Sequence, residues 1–210
     1  SAFSNRANLF SYPSLATWVV GKVESGLHFT VSAPGESFGG YAEVPDPLGG
    51  EIDFGTQSFS YGLWASLDIG SDTLNEQHLL FAKGTVPTAP SGFPGYDLNF
   101  DGNINRLDAA IYDGAATGRT ASYAANLRDN TWHHLFAVVN RGLNTLTLYV
   151  DGVERSQTSI AGALSVSSGL PLQFSGEFGL GVMVGKVDEA RIYGRALSAD
   201  EVQRLYEFTR

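Results

Sequence analysis

The feature that most constrains the fold is a pair of strand-like segments at residues 131–139 and 145–153. In the first segment, apolar residues occupy most of the odd positions and most of the even positions, which is typical of a β-strand covered on both faces. In the second, leucine and valine alternate with more polar residues, as in a strand with one buried face. Asp151-Gly152 then favours a tight hairpin turn, whose central residues need positive φ angles. The two segments therefore predict stacked antiparallel β-sheets.

The length and the end of the chain support one all-β domain with a short helix. A chain of 210 residues can bury a large core without disulfides, so we predict a single domain over residues 1–210. Residues 1–20 have no clear pattern beyond a candidate edge strand. Residues 198–208 begin with Ser198 and Glu201 at the spacing of a capping box, followed by apolar residues at helical spacing. We therefore predict a C-terminal helix there.

Composition excludes several classes of function. The chain has no cysteine, which excludes disulfides, thiol catalysis and Cys-ligated zinc, and which fits a bacterial exported protein. Its net charge of −9 argues against binding to nucleic acid or anionic membranes, since both require basic patches. No apolar run approaches the roughly 20 residues that span a bilayer, so membrane insertion is not expected.

Three segments resemble the laminin G-like branch of the concanavalin A-like lectin/glucanase superfamily. They are Trp132-His133-His134, residues 148–153 (Leu-Tyr-Val-Asp-Gly-Val) and residues 187–198 (Val-Asp-Glu-Ala-Arg-Ile-Tyr-Gly-Arg-Ala-Leu-Ser). The resemblance extends over residues 21–206 and implies a β-jelly roll of two antiparallel sheets. It also implies a carbohydrate-binding or adhesion module of a secreted or cell-surface protein, frequently with a structural calcium ion.

Asp188 is the predicted metal ligand. If residues 182–192 form one uninterrupted strand, Asp188 shares a face with Ala190 and Ile192, which should point inward. A buried carboxylate is costly unless it is paired or bound to a metal, and calcium prefers oxygen ligands. The resemblance points to the same residue. The alternatives are a salt bridge to Lys186 or Arg191, or an exposed side chain beside a β-bulge.

Residues 97–108 have two interpretations. Asp97, Asn99, Asp101 and Asp108, with Gly102, match the spacing of an EF-hand-type calcium loop. Such a loop needs a following helix, and the residues after Asp108 are too few before Asp113-Gly114. We favour a hairpin, in which Asp97, Asn99 and Asp101 form an outward-facing row that could contact a sugar or an ion.

Trp64 and Tyr149 are the predicted aromatic ligand-binding residues. Each lies opposite the aliphatic row of its own strand, and exposed aromatic rings stack on the apolar faces of sugars. Packing against another layer is the competing interpretation for both rings.

The sequence contains no recognisable catalytic motif. Glycosidases of the superfamily use paired carboxylates two or four residues apart on one strand, and no Glu-x-Asp-x-Glu pattern occurs in this sequence. His133 and His134 are adjacent, so on a strand they point to opposite faces and cannot share a metal. We therefore predict a non-catalytic glycan-binding module with a structural or bridging calcium ion, joined to other domains of a larger parent chain. The alternatives are a protein-binding adhesion module, or a polysaccharide hydrolase or lyase with an unrecognised site.

Overall fold

The computed structural model describes residues 8–10, 15–32, 39–46, 50–69, 77–84, 94–114, 118–176 and 181–209. These residues form fourteen β-strands and one α-helix. In chain order the strands are β1 (Asn8–Phe10), β2 (Ala16–Val20), β3 (Ser25–Phe29), β4 (Tyr41–Val44), β5 (Phe59–Leu67), β6 (Gln77–Lys83), β7 (Gly95–Asp101), β8 (Arg106–Tyr112), β9 (Arg119–Ala124), β10 (His133–Asn140), β11 (Thr145–Val150), β12 (Val153–Ser159), β13 (Leu172–Phe174) and β14 (Gly185–Tyr193), and the helix α1 is Ala199–Thr209.

The strands build two seven-stranded antiparallel sheets. Sheet A has the order β1-β4-β13-β6-β7-β8-β9, and sheet B has the order β12-β11-β10-β5-β14-β3-β2. Some neighbouring strands are consecutive in sequence, as in β6-β7-β8-β9, whereas others are distant, as in β4-β13-β6 and β10-β5-β14. This arrangement confirms the predicted jelly-roll sandwich with a C-terminal helix.

The core lies between the two sheets and follows the predicted alternation. Leu146, Leu148 and Val150 face sheet A, and they pack with the alternate residues Tyr96, Leu98 and Phe100 of β7. These positions are almost free of solvent because each sheet covers the inner face of the other. At the centre the Tyr61 hydroxyl donates to the Asp97 carbonyl oxygen at 2.9 Å, which satisfies its buried polar atom.

The helix explains why β10 is apolar on both faces. Leu135, Ala137 and Val139 point into the core. Phe136 and Val138 lie on the outer face of sheet B, in a second cluster that also contains Leu197, just before α1, and Val202, within α1. The capping box is confirmed, since the Ser198 N–H donates to Glu201 Oε2 at 2.9 Å and the Glu201 N–H donates to Ser198 Oγ at 3.3 Å. The helix therefore closes the outer face of sheet B.

Candidate functional site

The exposure predicted for Trp64 and Tyr149 is wrong. Trp64 is 2% exposed and Tyr149 is 5% exposed, because both rings lie under α1. The Trp64 indole N–H donates to Thr209 Oγ1 at 2.8 Å, and its ring stacks on Tyr206 at 5.7 Å. Tyr149 packs with the cluster that includes Val202. Neither ring is available as a platform for a sugar.

A β-bulge changes the orientation predicted for Asp188. The pairing of β14 with β5 shifts between Asp188 and Arg191, and Glu189 has a φ of +50°. The inner face therefore carries Val187 before the bulge and Ile192 after it, whereas an uninterrupted strand would place Asp188 and Ile192 together. Asp188 is instead paired with Trp64, whose side chain faces away from the core. The inward orientation predicted for Asp188 is wrong.

The Asp188 carboxylate accepts two backbone hydrogen bonds. Oδ2 accepts from the Val23 N–H at 2.8 Å, and Oδ1 accepts from the Glu189 N–H at 2.7 Å. Asp188 therefore links the turn between β2 and β3 to the bulge through these two hydrogen bonds. Within the described parts of the chain, no three His, Cys, Asp or Glu side chains converge as a metal-binding group. These contacts give Asp188 a structural role without a metal, and calcium binding there stays a prediction.

Residues 97–108 form the favoured hairpin. Asp101 pairs with Arg106, and a four-residue turn between them ends at Asn105 with a φ of +50°. Asp97 and Asn99 are thus on a strand, on the face turned away from the core. Successive residues of such a row lie about 7 Å apart along the strand, too far to wrap one ion as a calcium loop does.

The outward row is nevertheless covered. Asp97 is 1% exposed and Asn99 is 8% exposed, so the accessible row that the sequence predicts is wrong for these two residues. Asp97 Oδ2 and Asn99 Oδ1 have no hydrogen-bond partner. Burial, and then the neighbouring Asp108 carboxylate, raise the pKa of Asp97 to about 8. Asp108 itself is held by the Arg106 guanidinium at 2.7 Å.

The two histidines have separate environments, as predicted. His133 Nδ1 lies 2.9 Å from Asp151 Oδ2, and its Nε2 lies 3.2 Å from Asp129 Oδ2. The hydrogen bond with Asp151, opposed by burial, raises the pKa of His133. His134 is buried between aromatic rings on the other face, and burial lowers its pKa to about 4. Neither environment is that of a paired metal site.

A cleft of about 660 Å³ opens between the two sheets. Its floor is apolar and comes from both sheets, and its edge is polar and charged. The floor residues include Leu27, Val187 and Ile192 from sheet B and Phe81, Leu172 and Phe174 from sheet A. The volume is within the range of roughly 300–1,000 Å³ that small-molecule sites occupy.

Trp18 is the residue of the cleft that the sequence did not single out. Trp18 is 62% exposed, whereas Leu27, the residue opposite it on β3, is buried in the core. The difference arises because β2 lies at the edge of sheet B in the described part of the chain. The Trp18 ring therefore lines the mouth of the cleft. The sequence predicted only a candidate edge strand within residues 1–20. Trp18 becomes a candidate binding residue because β2 lies beside the cleft.

An ion pair joins two residues of β14 beside the cleft. The Arg191 Nε–H donates to Glu189 Oε2 at 3.1 Å, and a second guanidinium N–H donates to the same oxygen. Both side chains keep part of their surface in water. Glu51 presents an exposed carboxylate at the same cleft.

A buried lysine holds the wall of the cleft in place. Lys83 Nζ is fully buried, 2.8 Å from Asp46 Oδ1 and 3.3 Å from Asp53 Oδ1, and it donates to the Leu170 carbonyl oxygen at 2.6 Å. It thereby links Asp46 and Asp53, which lie on either side of Ile52 in the chain, to Leu170, which precedes Leu172. Ile52 and Leu172 line the cleft. The wall depends on this charged network.

A laminin G family model, described as the concanavalin A-like lectin/glucanases superfamily, matches residues 35–203. Comparison with curated protein sequences gives no match. None of the helices among the described residues has the length and apolar character needed to cross a membrane.

Several solved structures share the fold at low sequence identity. The binding domain of Paraclostridial Mosquitocidal Protein 1 is 18% identical with a TM-score of 0.70, over 95% of this chain and 47% of that one. Domain 4 of AbnA, an extracellular arabinanase from Geobacillus stearothermophilus, in complex with arabinotriose, is 18% identical with a TM-score of 0.66, over 95% and 87%. The binding domain of Botulinum Neurotoxin DC in complex with SialylT is 10% identical with a TM-score of 0.68, over 100% and 48%. The chain spans about half the length of the toxin binding domains that it matches.

Proposed function

Because the chain belongs to the concanavalin A-like lectin/glucanase superfamily, we propose that it is a non-catalytic module that binds glycans in the cleft between its sheets. The observation that carries this proposal is the exposed Trp18 ring at the mouth of that cleft. A rigid aromatic ring supplies a large contact area at low entropic cost, and the apolar face of a sugar can stack on it. Glu51 is exposed at the same cleft and can bond sugar hydroxyls.

The state of the cleft carboxylates supports a binding role over catalysis. Asp188 accepts two backbone hydrogen bonds, and Glu189 is engaged by Arg191. Glycoside hydrolysis uses two carboxyl groups that flank the scissile bond as acid and as nucleophile or base. Among the described residues that line the cleft, Glu51 is the remaining acidic residue. One carboxylate cannot supply both the acid and the nucleophile or base that glycoside hydrolysis needs.

Two of the structural neighbours support a glycan as the partner. The arabinanase domain is in complex with arabinotriose, and the neurotoxin binding domain is in complex with SialylT. Both belong to larger proteins, and the arabinanase is extracellular. We accordingly assign this domain to an exported or cell-surface bacterial protein, in which other domains supply any catalytic activity.

Binding to a panel of oligosaccharides, followed by calorimetry on each hit, tests the proposal. Trp18→Ala should weaken binding at least tenfold, because a central aromatic contact contributes about 2 kcal/mol or more. Trp132→Ala is the matched control, since Trp132 is partly exposed and does not line the cleft. Equal loss in both variants, or none in either, contradicts the assignment of the site to Trp18.

A protein partner is the second candidate, and the edge strand β2 favours it. Val20 is 86% exposed on the same strand as Trp18. An exposed apolar edge can accept a further strand from another protein. If no glycan binds at millimolar concentration while a protein ligand does, the adhesion function replaces the glycan-binding one.

Calcium and the outward row of β7 remain predictions. Repeating the glycan titration with a chelator tests a bridging ion, because binding through calcium would be lost. Asp97→Asn, Asn99→Ala and Asp101→Asn test whether the row contributes to binding. Asp97 and Asn99 each have a side-chain oxygen without a hydrogen-bond partner, which a donor group of a ligand could satisfy. Because both residues are buried, we favour the cleft as the principal binding site.

A further inference from the structure

We infer that the cleft selects uncharged glycans that carry acetyl groups, with the sugar rings over Trp18 and the acetyl methyl groups on the apolar floor. This inference rests on the proposed function and names the ligand class of the same site. It follows from the chemical difference between the mouth of the cleft and its floor.

The floor does not suit an unsubstituted sugar. Leu27, Ile52, Phe54, Leu172 and Phe174 line it, and each retains between 5% and 7% of its surface exposed. A hydroxyl group that entered this part of the cleft would lose its water without gaining a hydrogen bond, which is unfavourable. A methyl group in the same place would remove apolar surface from water, which is favourable.

The charges at the cleft argue for an uncharged ligand. Glu51 is the exposed acidic residue at its edge, the charges of Glu189 and Arg191 offset each other in their ion pair, and the Asp188 carboxylate points away from the core. The whole chain is also acidic, with a net charge of −9. A glycan with carboxylate groups would be repelled at this cleft, whereas acetyl esters and acetamides carry no charge.

Matched pairs of glycans provide the test. Acetylated xylan oligosaccharides are compared with the same oligosaccharides after alkaline deacetylation, and chitotriose is compared with cellotriose, so that O-acetyl and N-acetyl groups are tested separately. Oligogalacturonate is the carboxylated arm. We expect at least one acetylated member to bind on the order of tenfold more tightly than its partner, since burial of a small apolar group contributes about that factor.

A substitution that narrows the cleft gives an independent test. Gly194 lines the cleft, and a Cβ atom there would meet Phe54 Cε1 at 3.8 Å, an ordinary contact. Gly194→Leu therefore fills space without removing core atoms. Gly169→Leu is the control, because nothing lies within 4 Å of a Cβ at that position. We expect Gly194→Leu to abolish the preference for acetylated glycans and Gly169→Leu to preserve it.

The outcomes separate this inference from the proposed function. Equal affinity of wild-type protein for both members of every pair, or tighter binding of oligogalacturonate, overturns the inference while glycan binding stands. If Gly194→Leu leaves the preference for acetylated glycans unchanged, this cleft is not the site of that preference. Absence of binding to every glycan overturns the proposed function and the inference together.

Discussion

Replacing His134 with phenylalanine should remove a large part of the acid sensitivity of this domain. His134 is 4% exposed and lies between Trp64 and Phe136, with ring centroids 5.3 and 5.5 Å away. Phenylalanine fits the same aromatic stack and cannot be protonated. The backbone N–H of His134, which donates to Asp151 Oδ1 at 2.9 Å, is unaffected by the change.

The magnitude follows from the pKa of His134. Burial lowers it to about 4, whereas the unfolded chain has an ordinary histidine pKa near 6.5. Between these values the unfolded state binds more protons than the folded state, so the free energy of unfolding falls as the pH falls. Each pH unit well inside the window costs about 1.4 kcal/mol, and the loss from pH 7 to pH 4.5 is roughly 2.5 kcal/mol for this one residue.

Chemical denaturation of the wild-type and His134→Phe proteins at pH 7, 6, 5 and 4.5 measures the effect. The difference between the two free energies of unfolding should change by about 2.5 kcal/mol across this range, in favour of the variant at low pH. Subtracting one protein from the other cancels the groups that they share, such as His78, whose pKa burial also lowers to about 4. A difference that stays constant with pH would refute the buried, neutral state of His134.

Three further changes test other parts of the structure. Lys83→Met should lower the free energy of unfolding by about 3–5 kcal/mol, because it leaves Asp46 and Asp53 without their buried cation. Adding Asp46→Asn and Asp53→Asn should restore part of this stability, as measured by urea unfolding. Asp188→Ala should lower the thermal midpoint by removing the acceptor of two backbone N–H groups, and a chelator effect seen in wild type alone would assign calcium to this residue. Asp97→Asn should flatten the stability profile between pH 5 and pH 8. Burial raises the folded pKa to about 8, whereas an unfolded aspartate has a pKa near 3.9, so in this window the folded state binds more protons and the free energy of unfolding falls as the pH rises. An unchanged profile contradicts the burial of this carboxyl.

The elements that the sequence predicted are those with strong local signals. The two-sided apolar pattern of residues 131–139 predicted the buried strand β10 (His133–Asn140). The Ser198–Glu201 capping box predicted the start of α1, because the signal lies within four residues. By contrast, no pattern in the sequence predicted β9 (Arg119–Ala124). It is the edge strand of sheet A, and Ala121 is its one buried residue.

The site depended on tertiary contacts that the sequence does not contain. Alternation placed Trp64 and Tyr149 on the outer face of sheet B correctly, but not the helix that covers them. The bulge at Glu189 reverses the side-chain order of β14, and glutamate carries no signal for a positive φ. Trp18 became a candidate only when the sheet order placed it at an edge beside a cleft.

The indole N–H signals in a nuclear magnetic resonance titration with bound glycan test the central claim most directly. The chain has three tryptophans: Trp18 lines the cleft, Trp64 is buried with its N–H bonded to Thr209, and Trp132 lies outside the cleft. Each gives one resolvable indole signal in the unmodified protein. A glycan that binds in the cleft should shift the Trp18 signal and leave the other two in place. A shift of Trp132 or Trp64 while Trp18 stays unchanged would contradict a binding site between the sheets.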